Sequence, residues 1–186
     1  MDGAILVQEG LGYATGRMGS PAEPPRSPPG LYGIGTSVYA ERDGKILVLK
    51  RTRGAAQGAW YTPGGVLDPG ETPEQGAERE LLEEAGLVPA GRLELVGLIP
   101  MHVYGQHSFL VAYACECPHG EVKLSDEHSG ARWIDPVEYR DRYFALEAIE
   151  RLRAREPQIA QMSLAVRRGL DEYIEWRARR RPAAAG

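Results

Sequence analysis

The sequence predicts an α/β domain, and three stretches of the chain support this prediction. Asp43-Gly44 separates two runs of strand-forming residues, which is a strong signal for a β-hairpin. Residues 73–85 have the start and stop signals of a helix, and apolar residues recur every three to four positions along 158–180. A chain of 186 residues, 42% of them hydrophobic, is long enough for one domain with a sizeable core.

The first predicted elements are two strands that follow a segment rich in proline and glycine. Residues 1–30 contain five prolines, and we expect this segment to be mobile. We predict strands at 34–42 and 45–51, joined by the hairpin turn. Residues 46–49 are apolar without interruption, which is typical of a strand that is covered on both faces.

The central helix is predicted together with both of its ends. Thr72 and Gln75 match a capping box, and Pro73 suits the first helical position. Gly86 supplies the left-handed residue that commonly ends a helix. The apolar side of this helix consists of Ala77, Leu81, Leu82 and Ala85.

A second hairpin and two further helices are predicted beyond the central helix. The strands are expected at 93–103, 107–117 and 131–134, with a turn near Tyr104-Gly105 in the hairpin. Asp135-Pro136 starts a helix that we expect to run unbroken over 137–153. Its buried residues should include Val137, Phe144, Ile149 and Leu152. The segment 156–186 holds the amphipathic helix and a tail with four arginines between positions 177 and 181, which we expect to be a solvated helix end.

Composition and charge restrict the functions that are open to this chain. The net charge is -4, so the overall balance gives no indication of nucleic-acid binding. Cys115 and Cys117 are the only cysteines, and with His119 they form an alternation that is a weak signal for zinc. The N-terminus lacks the features of a signal peptide, and no stretch reaches the roughly 18 apolar residues of a membrane span. We therefore expect a cytoplasmic protein.

One side of the central helix carries an acidic cluster. Glu80, Glu83 and Glu84 have i, i+3 and i+4 spacing, so their carboxylates share one side, at a cost of about a few tenths of a kcal/mol per pair. A hard cation such as Mg²⁺ is bound by oxygen ligands of this kind. Glu71 can join the cluster, and Arg79 can hold a carboxylate through an ion pair. The alternative interpretation is a solvated acidic face.

The segment 65–87 resembles the Nudix box, the signature of the Nudix hydrolases. That signature has fixed positions at a glycine, a glutamate, an Arg-Glu pair, a Glu-Glu pair, a second glycine and two aliphatic residues. Every fixed position is matched here, by Gly65, Glu71, Arg79, Glu80, Leu81, Glu83, Glu84, Gly86 and Leu87. The resemblance covers roughly residues 31–155 and implies the Nudix fold, a mixed β-sheet sandwiched between helices, to which the C-terminal helix is an addition.

The resemblance also implies a reaction and a metal. Nudix hydrolases cleave a pyrophosphate bond in a nucleoside diphosphate linked to another group, with Mg²⁺ or Mn²⁺ as cofactor. By this resemblance Glu80, Glu83 and Glu84 would hold the metal, and the Gly65 carbonyl would be a further ligand. Arg79 would position a carboxylate, so we expect Glu83, Glu84 and Arg79 to be catalytic.

A fourth catalytic candidate lies beyond the box. Relatives place a further acid in a loop a few residues before a tryptophan, and Glu127 precedes Trp133 in such a loop. Asp126 and His128 are competing candidates, and a solvated acidic turn is the alternative interpretation. Candidates for substrate binding are Arg51 and Arg53 for phosphates and the aromatic residues Trp60, Tyr61, His102 and Tyr104 for a base, although each of them can equally be an ordinary surface or packing residue.

Two other functions remain open at this point. The same fold occurs in non-catalytic nucleotide sensors and in isoprenoid-diphosphate isomerases, and the complete box disfavours both. Because Nudix enzymes are often dimers and the C-terminal apolar stripe must be covered, we expect a homodimer. The sequence does not identify the nucleotide or nucleotide derivative that is the substrate.

Overall fold

The predicted hairpin at Asp43-Gly44 begins the fold. The computed structural model describes residues 32–53, 57–103 and 106–180, and in it these two residues join β1 (Gly33–Arg42) to β2 (Lys45–Arg51). Their φ angles are 49° and 79°, which are the positive values that a tight two-residue turn requires. The prediction of this hairpin is therefore confirmed.

Four more strands complete a mixed sheet. They are β3 (Trp60–Tyr61), β4 (Glu94–Val103), β5 (Gln106–Glu116) and β6 (His128–Ile134). The strand order is β3-β2-β1-β5-β4, and β6 also pairs with β2. β1 and β5 are parallel and the other pairs are antiparallel, which confirms the predicted mixed sheet. β6 begins before the predicted residue 131 because His128 and Gly130 pair with the end of β2.

The central helix, α1 (Pro73–Ala85), has the predicted bounds and caps. The Thr72 hydroxyl accepts a hydrogen bond from the Gln75 backbone N–H at 3.2 Å, and the Gln75 side chain accepts one from the Thr72 N–H at 2.9 Å. Gly86 ends the helix with φ of 65°. These caps fix the start and end of α1 and so fix which of its side chains face the sheet.

Apolar cores lie on both faces of the sheet, and successive side chains of β2 point alternately into one core and the other. Ile46 and Val48 belong to the core under the C-terminal helices, whereas Leu47 and Leu49 belong to the core under α1. All four side chains are almost completely buried, which confirms the prediction of a strand covered on both faces.

The predicted unbroken helix over 137–153 is wrong, because the chain forms two helices there. They are α2 (Pro136–Tyr143) and α3 (Leu146–Arg153), separated at Phe144, whose φ and ψ are -129° and 36°. Phe144 is fully buried against the rings of Tyr61 and Tyr139. Burial of this ring accounts for the break. Val137 is also a wrong prediction, since it is 42% exposed.

The C-terminal helix, α4 (Pro157–Arg180), packs against its own domain. Leu170 and Tyr173 are fully buried in the same core as Tyr39 of β1, and the rings of Tyr39 and Tyr173 stack at 4.3 Å. Part of the apolar stripe is therefore covered within one chain, and the stripe no longer demands a second subunit. Among the described residues, no helix has the length and apolarity of a membrane span.

The two cysteines lie together in the core under α1. Cys115 and Cys117 are both buried and free, with their Sγ atoms 3.8 Å apart. The contact with Cys117, together with burial, raises the pKa of the Cys115 thiol. Within the described ranges, no three His, Cys, Asp or Glu side chains are grouped closely enough to hold a metal ion, and this includes the Cys-x-Cys-x-His alternation.

Candidate active site

The site begins where the chain before α1 crosses β1. The Thr36 N–H donates to the Gly65 carbonyl at 2.7 Å, and the Val38 N–H donates to the Pro63 carbonyl at 2.8 Å. Gly64 has φ of 151°, and a side chain there would collide with the Thr36 carbonyl. Glycine is thus required at this crossing because the two backbones are in direct contact.

Gly65 also leaves room for the first box carboxylate of α1. A Cβ atom at Gly65 would overlap the Glu80 carboxylate, so this carboxylate lies against the bare backbone. Burial raises the pKa of Glu80, and the negative charge of Glu83 raises it further, while Arg79 opposes the shift. A half-buried carboxylate therefore lies against the backbone of Gly65, whose carbonyl oxygen has a lone pair left after the bond from Thr36.

Glu84 is the most deeply buried acid of the site, with an exposed fraction of 6%. Its Oε2 accepts a hydrogen bond from the Gly64 N–H at 3.0 Å. Burial raises the pKa of Glu84 to about 7, and the charges of Glu80 and Glu127 act in the same direction. Among the described residues, no arginine or lysine forms an ion pair with Glu84.

A histidine lies beside Glu84. His128 Nε2 lies 3.6 Å from Glu84 Oε1, and Ser125 Oγ lies 3.3 Å from His128 Nδ1. Burial lowers the pKa of His128, and the charge of Arg51 lowers it further. The imidazole is therefore neutral at pH 7 and does not balance the charge of Glu84.

Arg79 contacts three other glutamates of the box. Its guanidinium donates to Glu71 at 2.8 and 3.1 Å, to Glu80 at 2.9 Å and to Glu83 at 3.1 Å. The hydrogen bond from Arg79 lowers the pKa of Glu71, which also accepts from the Asp68 N–H at 2.8 Å. Glu71 is thus engaged by Arg79 and a backbone N–H, and Glu83 remains 59% exposed at the side chain.

Glu127 lies in the loop before β6 and joins the box glutamates around one cavity, which is described below. Arg53 Nη2 donates to Glu127 Oε1 at 2.8 Å, and Arg53 Nη1 lies 3.5 Å from Asp126 Oδ2. The hydrogen bond from Arg53 lowers the pKa of Glu127. Arg53 is therefore paired with two acids, whereas Arg51 lines the cavity and lowers the pKa values of both Glu84 and Glu127 through its charge.

These groups surround one cavity of about 580 Å³. It is lined by Arg51, Gly64, Gly65, Val66, Arg79, Glu80, Glu83, Glu84, Ser125, Asp126 and Glu127. The structure thus places all the predicted catalytic and metal-binding residues around one space. Their donor atoms are the hard oxygens that Mg²⁺ and Mn²⁺ prefer, and Glu80 fits closely against Gly65. As the described side chains are placed, no three of them converge on one point, so a bound cation would draw the carboxylates together.

A second cavity of about 380 Å³ adjoins the first and shares Arg51, Gly64, Gly65, Val66 and Glu84 with it. Its remaining lining residues include Ser37, Tyr61, Thr62, Met101, Leu110, Met162, Ala165 and Val166. Of the aromatic candidates, Tyr61 is the one found here. Sequence reasoning missed the residues from α4, because apolar periodicity identifies a packing face without indicating that part of the face lines a cavity.

The other aromatic candidates lie elsewhere or outside the described residues. Trp60 packs against Gly130, and the Arg132 guanidinium lies 4.6 Å from its ring centre. His102 pairs with His107 at 4.6 Å and lines a separate cavity between β4 and α4. Tyr104 falls outside the described residues. The structure therefore does not bring Trp60 or His102 to either cavity of the site.

Comparison with known proteins agrees with the complete box and the mixed sheet. The sequence model of the NUDIX domain matches residues 31–154. A MutT-like protein from Streptomyces ambofaciens is 32% identical over 130 residues, which cover 69% of this chain and 79% of the relative. The CTP pyrophosphohydrolase of Escherichia coli K12 is 36% identical over 124 residues, which cover 63% of this chain and 90% of the relative.

A solved structure extends the likeness to the fold. The solution structure of the E. coli ORF135 protein is 27% identical in sequence and aligns with a TM-score of 0.59. The alignment covers 82% of this chain and 95% of that protein. The family match covers more than half of this chain, and Glu80, Glu83 and Glu84 of the box share one cavity with Gly64 and Gly65. The chain therefore belongs to the Nudix family and is a hydrolase that acts on phosphoric anhydrides.

Proposed function

We propose that this protein hydrolyses the pyrophosphate bond of a nucleotide, or of a nucleoside diphosphate linked to another group, with Mg²⁺ or Mn²⁺ as cofactor. The observation that supports it most is Glu84, a buried carboxylate beside Glu80 whose hydrogen-bond donor is the Gly64 N–H. Two close carboxylates with raised pKa values are costly for a fold, and a divalent cation would stabilise their charged forms. The relative that hydrolyses CTP supports a nucleotide substrate.

The residues that would hold the metal are Glu80, Glu83, Glu84 and the Gly65 carbonyl. A bound divalent cation would neutralise phosphate oxygens and lower the pKa of an attacking water. Arg79 is proposed as a positioning residue, because its guanidinium ties Glu80 and Glu83 to Glu71. A charge-assisted network of this kind holds carboxylates in one orientation more firmly than single neutral hydrogen bonds do.

Glu127 is proposed to orient water or to bind metal rather than to act as a strong base. Arg53 lowers the pKa of Glu127, so this carboxylate is ionised at neutral pH but has a weak affinity for a proton. Arg51 lines both cavities, and its cationic side chain is placed to attract a phosphate group. Arg53, the other predicted phosphate ligand, lines neither cavity and instead pairs with Glu127.

Turnover of a nucleotide panel tests this function. CTP, ATP, GTP, UTP, ADP-ribose and a nucleotide sugar are each incubated with Mg²⁺, and the nucleoside monophosphate that pyrophosphate cleavage releases is measured by ion-exchange chromatography. We expect hydrolysis of at least one compound and its loss on chelation with EDTA. Binding without turnover would identify a nucleotide sensor. Rearrangement of an isoprenoid diphosphate would identify an isomerase instead.

Two further proposals concern assembly and location. A homodimer and a cytoplasmic location remain predictions from the sequence and the family. Burial of Leu170 and Tyr173 within one chain weakens the reason for a dimer. Sedimentation at micromolar concentration decides the oligomeric state, and a monomer there would show that α4 serves its own domain alone.

A further inference from the structure

Two histidines lie directly opposite each other on the hairpin of β4 and β5. In the antiparallel ladder His102 is the Cα partner of His107, and the ladder continues to Met101 and Ser108. Side chains of directly opposite residues lie on the same face of a sheet, with Cβ atoms about 4.5–5.5 Å apart. The backbone of the hairpin therefore holds the two imidazole rings side by side.

The spacing of the two rings suits a metal ion bound by both. Their centres are 4.6 Å apart, and their planes are inclined by 42°. A metal ion such as Zn²⁺ lies about 2.0–2.1 Å from each imidazole nitrogen, so two rings at adjacent positions on one ion have centres roughly 4.5–5 Å apart. Rotation about side-chain bonds can thus bring one nitrogen of each ring to a common ion without movement of the strands.

Both rings are open to solvent and have nitrogen lone pairs to offer. His102 and His107 are exposed, and among the described residues neither forms a hydrogen bond or an ion pair. Imidazole is the commonest side-chain ligand of metals in proteins. His128 differs, because it is buried beside Glu84 with Ser125 at its Nδ1 atom. The pair on the hairpin is thus available to a ligand from solvent.

The histidine rings and α4 lie on opposite faces of the sheet. His102 borders a cavity that also contains Arg167 and Arg168 of α4, and cationic groups beside the rings would repel a metal ion. Met101, however, packs into the core under the C-terminal helices, and successive side chains of a strand point to opposite faces. On the face of the histidines the neighbouring ring is that of Tyr32. The sheet therefore separates the arginines from the histidine rings.

From this juxtaposition we infer that His102 and His107 together bind one borderline divalent transition-metal ion, and that Cu²⁺ binds more tightly than Ni²⁺ or Zn²⁺. Imidazole nitrogens favour these ions, whose affinities follow a general order with Cu²⁺ at its maximum. The carboxylates of the box favour Mg²⁺ and Mn²⁺ instead, so the two sites differ in the ions that they select. Two protein ligands leave the other positions to water, so the bound ion remains exchangeable. The inference does not depend on the proposed function.

The test is a titration of Cu²⁺ into the full chain, with Mg²⁺ in excess to occupy the glutamates of the box. Binding is measured by calorimetry, and electron paramagnetic resonance counts the nitrogen atoms bound to Cu²⁺. We expect two bound imidazole nitrogens in the wild type. In His102→Gln or His107→Gln one ring is lost, and the dissociation constant should rise by at least about 10²-fold, the lower end of the gain from two tethered ligands. His119→Gln, at an exposed histidine outside the hairpin, and Glu84→Gln, in the box, should match the wild type.

Three results would overturn the inference. The first is equal Cu²⁺ affinity of the wild type and the two hairpin variants. The second is a loss of binding in His119→Gln or Glu84→Gln instead. The third is tighter binding of Ni²⁺ or Zn²⁺ than of Cu²⁺ in the same titration.

Misfolding of a variant does not leave the site untested. Circular dichroism checks that each variant folds, and one folded hairpin variant is enough to decide. If neither folds, modification of the wild type by diethyl pyrocarbonate is mapped by mass spectrometry with and without Cu²⁺. Cu²⁺ should then protect His102 and His107 but not His119, and any other pattern of protection would refute the site.

Discussion

Two groups of glutamates and arginines lie at different ends of β1, and they differ in how their charges are balanced. Near Glu41, at the end of β1, Glu94 and Glu116 line a cavity of about 240 Å³ with Arg177 and Arg180. Arg177 Nε lies 3.8 Å from Glu41 Oε2, and Arg180 forms an ion pair with Glu94. Arg177 and Arg180 thus pair with carboxylates of their own domain, which corrects the expectation of a merely solvated helix end for these two residues.

Near the start of β1 the balance is different. Arg79 is shared among three glutamates, and Glu84 is buried with a backbone N–H as its hydrogen-bond donor. Burial raises the pKa of Glu84 to about 7, and the Gly64 N–H and the charge of Arg51 offset this shift only in part. A cluster of acids is therefore not a sufficient mark of a metal site. A buried acid that forms no ion pair with an arginine or lysine is stronger evidence for such a site.

The largest expected effect is on turnover when a box glutamate is replaced. Glu84→Gln and Glu83→Gln keep the shape of the side chain and remove a charge from the proposed metal site. We expect kcat to fall by about 10²-fold or more, the scale of losing a central electrostatic contributor. Glu94→Gln, in the arginine-paired group, is the control and should keep wild-type kcat. Wild-type turnover in Glu84→Gln on every substrate would contradict the assignment.

The next largest loss of kcat is expected when Glu127, in the loop before β6, is replaced. Glu127→Gln should lower kcat by about 10²-fold, within the usual range for a group that orients or activates water, and change KM little. Asp126→Asn, in the neighbouring and more exposed acid, should be much milder. Full kcat of Glu127→Gln between about pH 6 and 9 would exclude a catalytic role for this residue.

The pH dependence of stability tests the burial of Glu84 directly. Its pKa is about 7 in the folded protein against 4.5 for the ordinary group, so the folded state binds more protons between these values. Stability of the metal-free protein should therefore fall as pH rises from about 4.5 to 7, by up to roughly 3 kcal/mol for this residue. Urea unfolding in EDTA should show that Glu84→Gln is no less stable at pH 7.5 and has a flatter pH profile. An unchanged profile would refute the raised pKa.

The smallest effect is expected in the arginine-paired group. Arg180 and Glu94 are both partly exposed, with side-chain exposures of 53% and 42%. Arg180→Ala should change the free energy of unfolding by less than about 1 kcal/mol and leave kcat unchanged. Chemical denaturation and the turnover assay measure both quantities. A marked loss of kcat would show that this group takes part in the function after all.

Elements with strong local signals were predictable from the sequence. The hairpin at Asp43-Gly44 and the bounds of α1 depend on backbone conformation and capping within a few residues, so neighbouring residues suffice to predict them. The acidic side of α1 follows equally from the helical period. The break at Phe144 was missed, because it depends on burial of this ring against Tyr61, which is distant in sequence.

The amino-acid sequence by itself determined the fold class, the Nudix box and the set of residues that could bind metal. The tertiary structure decided how each acid is solvated and paired, and which side chains line the two cavities. Burial raises the pKa of Glu84 although the hydrogen bond from the Gly64 N–H opposes the shift, whereas Arg53 lowers the pKa of Glu127. The α4 residues that line the second cavity likewise lie far along the chain from α1. The physical reason is that solvation, charge balance and enclosure depend on distances in space, which local sequence patterns do not specify.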